Sequence, residues 1–280
     1  MLYEILSPVG KLADLQLIIN AGADAVYMGL KGFSSRPQSA DLSVDELRQA
    51  FIICRKNGVK LYVAINSCIH QNMLDTLIAQ IRELDEIGVD SVILADWGLI
   101  HYFSDKLKHA QIHASTLLGV FNIDTVLELK RMKVTRIILS TNLYMDEIVK
   151  IIHAVPDLEY EIVADGGNCF NDNFRCELPH SASGMDYKVF CKCHYDLVEN
   201  KNKSVANSIA GDLINMDEVI ALYMAVGINS YKIEGRTMHG SIVANRTQKL
   251  KAGLLRAQQS KNEQDSYLHY FLRIKNPKRR

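Results

Sequence analysis

Four cysteines, Cys169, Cys176, Cys191 and Cys193, fall within 25 residues of one another. Their spacing is C-x6-C, fourteen intervening residues, then C-x-C. Four thiolates on a stretch without clear periodicity suit a tetrahedral zinc site or an iron–sulfur cluster. The paired C-x2-C knuckles of a zinc ribbon are missing, which leaves zinc as the alternative. His180 and His194 lie close enough in sequence to serve as substitute ligands. Two disulfides are the bland reading, and a reducing compartment disfavours them. Cys54 falls in a helical pattern and Cys68 just past a strand, so both read as packing residues.

A second set of reactive side chains sits at the ends of apolar runs. In Tyr231-Lys232-Ile233-Glu234-Gly235-Arg236, strand alternation puts Lys232, Glu234 and Arg236 on one face and Tyr231 and Ile233 on the other. Three charges facing an interior must be paired or used, because unpaired burial costs several kcal/mol. A structural Lys–Glu–Arg network and a substrate site are equally open here. His113 and Ser115 share a face with Gln111, but a His near a Ser is no triad without an oriented carboxylate and an oxyanion hole. Ser7, Gly29, Asn66, Asp96, Ser140 and Asp165 also fall where strands become loops, a position that Asp, Asn and Ser favour for turn chemistry alone. His70 either reaches the same region or caps the next helix.

The elements that must position these groups repeat as strand, then helix. Strands are expected at about Leu2–Leu6, Ala25–Leu30, Lys60–Asn66, Val89–Asp96, His109–Ser115, Thr135–Ser140, Leu158–Asp165 and Ser230–Glu234. Helices are expected at about Leu12–Ala21, from the Ser43/Glu46 capping box to Lys56, Asn72–Ile87, Met216–Ala225 and Ile242–Gln258. Such a series of βα units favours a closed (β/α)8 TIM-like barrel over an open sheet. No glycine-rich phosphate fingerprint follows the first strand. Val205–Leu213 competes with Ser230–Glu234 as the last barrel strand, and the latter is preferred. The cysteine segment is then an insertion after the seventh strand, and the polar strand ends form a ring at one rim, where such barrels keep their active sites.

The chain has 280 residues, 48% of them hydrophobic, with 32 basic and 32 acidic side chains. One barrel domain over 1–260 accounts for this length, with 165–204 as the metal-binding insertion and 261–280 as an extension with a basic tail. Balanced charge gives no global pull toward nucleic acid or membrane. The first residues lack a signal-peptide pattern, and no apolar run approaches the ~20 residues that span a bilayer. A cytoplasmic protein without a membrane or DNA partner is expected.

Several of these residues also carry a resemblance. Glu4-Ile5-Leu6-Ser7-Pro8-Val9-Gly10, the run Ala21 to Ser34, His113-Ala114-Ser115-Thr116, the Cys169/Cys176 pair and Lys232-Ile233-Glu234-Gly235-Arg236 together resemble the collagenase-like peptidase family, family U-thirty-two. The resemblance covers about Leu2 to Arg256. It implies a TIM-like barrel and a 4Fe–4S cluster held by four cysteines, with Cys169 and Cys176 matching the first two ligands. Cys191 and Cys193 fall in the region of the next, in an arrangement tighter than the family's. Asp165 stands where many members have His or Asn, and no counterpart of the extra carboxyl-terminal domain of longer members is found. The implied chemistry is oxygen-independent hydroxylation of an aromatic or nucleobase substrate, such as RNA, with prephenate as oxygen donor. His113, Glu234 and Arg236 would then act on substrate or donor, aided by Asn66, Asp96, Ser115, Asp165 and Lys232. The rivals are a peptidase and a non-catalytic, cluster-bearing subunit of a paralogous barrel.

Overall fold

The computed structural model describes residues 3–36, 40–167, 195–199, 202–206, 213–215 and 220–259. Eight parallel strands close into a barrel: β1 (Glu4–Pro8), β2 (Ala25–Leu30), β4 (Lys60–Ile65), β5 (Ser91–Leu94), β6 (Gln111–Ala114), β7 (Val134–Ile138), β8 (Glu159–Gly167) and β12 (Ser230–Ile233). Closure is the pairing of β1 with both β2 and β12. Every strand expected from the sequence is present, within a few residues at its ends. Ser230–Ile233 completes the barrel, as preferred. From the competing segment, β11 (Leu213–Asn215) instead runs antiparallel to β8. A separate hairpin joins β9 (Tyr195–Glu199) to β10 (Asn202–Ala206).

Helices α1 (Leu15–Asn20), α2 (Val44–Lys56), α3 (Leu74–Ile87), α4 (Trp97–Phe103), α5 (Ile123–Arg131), α6 (Met145–Ala154), α7 (Ile220–Val226) and α8 (Gly240–Gln259) follow the strands in turn. The capping box holds: Ser43 Oγ accepts from the Glu46 N–H at 3.3 Å, and the Glu46 carboxylate accepts from the Ser43 N–H at 2.8 Å. Asp85 ends α3 as an anchor, its carboxylate accepting the N–H groups of Lys108, His109 and Ala110, each at 2.8 Å. Burial alone would push its pKa up, and these three donors hold it below the usual carboxylate range.

The main core lies between strands and helices and contains Tyr231 and Ile233, as strand alternation requires. The barrel interior has a smaller apolar set, Leu6, Ala25, Tyr27, Tyr62, Ile93 and Ile138. Around it runs a charged network in place of further aliphatic layers. Arg136, fully enclosed, pairs with Glu4 at 2.6 Å, Glu161 at 3.2 Å and Glu159 at 2.5 Å. Tyr62 donates to Glu4 at 2.7 Å, and Ser230 bridges Glu4 and Glu161. Burial would raise the Glu4 pKa, yet Arg136, Lys60 and the Tyr62 hydroxyl together lower it. Each buried charge is matched, which is the condition under which such a core is tolerated.

Candidate active site at the barrel mouth

The carboxyl ends of the strands form a mouth rimmed by paired charges. Lys232 points inward, donating to Glu161 at 3.1 Å with its ammonium 4.3 Å from the centroid of the Tyr27 ring. Glu234 does not join Lys232 and Arg236 in one network, so of the two readings left open for these charges the shared Lys–Glu–Arg network does not form. It faces Arg36 at 3.6 Å, both about one-third exposed, and its backbone N–H donates to Asp165 O at 2.7 Å. Asp165 pairs with Arg246 of α8 at 2.9 Å. Two partly exposed carboxylates, each with its own arginine, thus stand at the ends of adjacent strands β8 and β12. Gly166 allows this approach, since a Cβ there would fall 2.8 Å from Glu234 Cγ.

Arg236 was expected to act directly on substrate or oxygen donor. Its side chain is instead only 3% exposed and is engaged by Asp41 at 3.1 Å and Ser34 at 3.0 Å. Its role as a direct ligand group is corrected to a structural one. Asp41 lies on the short strand β3 (Asp41–Leu42), which pairs with β2 at Gly29 and continues the wall past the end of β1. Only glycine fits at 29, because a Cβ would meet Asp41 Oδ1 at 1.9 Å and Arg236 Nη1 at 2.0 Å.

His113 also differs from expectation. It lies inside the barrel rather than at the rim, 1% exposed, with Nδ1 3.1 Å from Ser91 Oγ and its ring edge-on to Tyr62. Burial first, then the positive charges of Arg136, Lys232 and Lys60, push its pKa well below the ordinary value, so the imidazole is neutral. Its Nε2 is buried without a hydrogen-bond partner among the described residues. His113 and Ser115 form no pair. Ser115 Oγ lies 3.5 Å from Asn66 Nδ2 and accepts from the Leu117 N–H. The Asn66 carbonyl oxygen accepts from the Ser35 N–H at 3.0 Å.

Other rim residues do local work. Asp96, expected as a substrate ligand, is the N-cap of α4, its Oδ1 accepting from Leu99 N–H at 2.8 Å. Ser140 accepts from Asn142 N–H, and Ser7 faces outward to Thr247 at 2.8 Å. His70 precedes a 3-10 turn without capping it through its side chain. Cys54 is a packing residue, burial pushing its thiol up to about 12, whereas Cys68 is exposed rather than packed. Cys169, Cys176, Cys191, Cys193, His180 and His194 lie outside the described residues. Among the described residues no group of three or more His, Cys, Asp or Glu could hold a metal ion. No described helix is long and apolar enough to cross a membrane. Sequence reading missed Asp41, Arg36 and Arg246 as rim residues. Their partners are 195, 198 and 81 residues away, and only closure of the barrel reveals them.

The model of peptidase family U32 matches residues 10–277. The chain is 32% identical over 211 residues to the tRNA hydroxylation protein P of Escherichia coli, covering 74% of this chain and 47% of that protein. It is 28% identical to the 23S rRNA 5-hydroxycytidine C2501 synthase of the same organism, covering 87% and 38%. It is 27% identical to a collagenase of Porphyromonas gingivalis, covering 84% and 61%. The chain thus spans about half the length of the curated relatives it matches. A solved U32 peptidase superposes with a TM-score of 0.53 at 12% identity, covering 61% of this chain and 73% of the other. Tryptophan synthase from M. tuberculosis gives 0.52 at 10%, covering 90% and 92%, a likeness of fold alone.

Proposed function

The chain belongs to peptidase family U32, and on that premise we propose that its barrel mouth is the active site of an iron–sulfur enzyme that hydroxylates a nucleobase in RNA without molecular oxygen. The observation that carries this reading is where the cysteine-bearing stretch is tethered. β8 ends at Gly167 at the mouth, and β11 returns to pair Leu213 with Gly167. Gly167 and Leu213, the described residues that flank 168–212, are therefore neighbours beside Asp165 and Glu234. The donor set, four thiolates, fits a 4Fe–4S cluster, and the described residues supply no competing metal site.

Cys169, Cys176, Cys191 and Cys193 would hold the cluster, which when bound supplies one-electron chemistry near the mouth. The rest falls to the protein's own groups. Lys232 keeps a fixed ammonium over Tyr27, poised for an anionic or electron-rich ligand. Glu234 and Asp165 offer partly exposed carboxylate oxygens that can accept a proton. Neutral His113 lies two residues before the rim residue Ser115, with an unused nitrogen. Prephenate is the oxygen donor in this reading, its carboxylates matched by the partly exposed arginines of the mouth, Arg36 and Arg246. The names of the RNA-modifying relatives support the substrate class, and an RNA substrate is consistent with a cytoplasmic protein.

Anaerobic purification should yield a brown protein with about four irons per chain, as a 4Fe–4S cluster requires. RNA from cells lacking the protein should lose one hydroxylated nucleoside by mass spectrometry. A colourless zinc protein with full activity would sink the proposal. The peptidase reading rests on the solved U32 peptidase and the collagenase relative. It stands second because the serine–histidine contact in the barrel, Ser91 with His113, is enclosed from any peptide, at 0% and 1% exposure. A subunit that only partners a paralogous barrel would be captured with that barrel and show no turnover alone.

A further inference from the structure

The loop between β2 and β3 is fastened by a set of groups that includes three the sequence offers as site residues, Arg236, Asn66 and Ser115. Ser34 Oγ donates to Asp41 Oδ1 at 2.7 Å, and accepts from Arg236 Nη1 at 3.0 Å and from the Arg36 backbone N–H at 3.2 Å. One residue on, the Ser35 N–H donates to Asn66, whose amide reaches Ser115. Asp41 and Arg236 face each other with side chains 1% and 3% exposed, so no ligand reaches them directly. What the loop presents is Arg36. Its guanidinium is 32% exposed and, among the described residues, faces Glu234 alone, at 3.6 Å, beyond hydrogen-bond range.

We propose that Arg36 is the ligand-binding cation of the mouth, taking the carboxylate of a small organic acid in place of Glu234, and that Asp41 is the positioning residue that fixes it through Ser34 and Arg236. This rests on the mouth being the active site, and is independent of the hydroxylation chemistry. The choice of a carboxylate follows from charge and shape. Arg36, Lys232, Arg236 and Arg246 are balanced by Asp41, Glu161, Asp165 and Glu234. A planar monoanionic group can take Glu234's place against the guanidinium fork, the displaced and partly exposed Glu234 turning toward solvent, so that one negative charge is added. A phosphate dianion adds two beside four carboxylates. The loose Arg36–Glu234 contact is the geometry of an exchangeable partner, since a partly exposed pair at this distance contributes little.

The test is isothermal titration, at pH 8 where inorganic phosphate is the dianion, of the anaerobically purified full chain with benzoate, acetate and inorganic phosphate. Both carboxylates should bind, and phosphate should bind more weakly. Arg36→Met should weaken carboxylate binding about 30-fold, and Arg36→Lys less, since it keeps the charge and loses the fork. Glu234→Gln should tighten binding, a gain that structural damage does not produce. Asp41→Asn should weaken it about fivefold, and Asp41→Asn combined with Arg36→Met should bind no worse than Arg36→Met alone. Losses that multiply would overturn the positioning role. Unchanged binding by Arg36→Met, no carboxylate binding by the native protein, or phosphate binding as tightly as the carboxylates would overturn the assignment of Arg36. Iron content and RNA hydroxylation are read separately. A protein that binds carboxylates through Arg36 yet holds no iron fails the enzyme reading alone.

Discussion

Arg236 and Asp41, 195 residues apart in sequence, meet at 3.1 Å over the bare backbone of Gly29. The pair ties the end of β12 to β3 across the end of β1, and so closes the rim on which the rest of the mouth depends. Asp41 Oδ2 has no hydrogen-bond partner among the described residues. Burial, only partly offset by Arg236 and Ser34, pushes the Asp41 carboxyl up to about 6.

A pH dependence follows from that shift. The folded pKa lies above the ordinary 3.8, so the folded state binds this proton more tightly than the unfolded one. The contribution is greatest below about pH 4 and is lost as pH rises through 6, amounting to ~3 kcal/mol. Urea titrations of native protein and Asp41→Asn from pH 4 to 7 should show the stability difference moving in the variant's favour. Parallel curves would refute the assignment.

His113 runs the other way. Its pKa is depressed, so its stabilising contribution is intact above pH 6.5 and is lost as pH falls below it, at up to ~1.4 kcal/mol per pH unit. His113→Asn should flatten the native stability curve between pH 6.5 and 5. An unchanged slope would mean that the imidazole is not held neutral inside the barrel.

Arg136→Met should be among the most damaging single changes in the described barrel. It leaves Glu4 and Glu161 buried without their cation, a cost of about 3–5 kcal/mol in chemical denaturation. Arg246→Met removes a partly exposed pair with Asp165 and should cost under ~1 kcal/mol. Equal losses would show that the two networks are not different in kind.

Ser43→Ala should lower stability by about 1 kcal/mol, the usual value of an N-cap, because the Glu46 side chain loses its hydroxyl partner and the Glu46 N–H its acceptor. Thermal melts at one pH suffice to check it.

For the cluster, alanine at Cys169, Cys176, Cys191 or Cys193 should each reduce bound iron and bleach the anaerobic spectrum, while Cys54→Ala should not. Full iron in either the Cys191 or the Cys193 variant would remove that residue from the ligand set.

The sequence alone was enough for the βα series, the closing strand Ser230–Ile233 and the start of α2. These depend on local periodicity and on a cap contained within four residues. It also brought out Lys232, Glu234 and Asp165, because alternation along a strand decides which face a side chain takes. What it could not supply was who meets whom. Lys232 finds Glu161 rather than Glu234, Arg236 is enclosed with Asp41, and Asn66 and Ser115 hold a loop. Arg36 emerges as the exposed cation of the rim. Those pairings are set by the curvature and register of the closed barrel. Closure brings β3 beside the end of β12 and carries Arg136 into the interior, contacts between distant residues that no local pattern encodes.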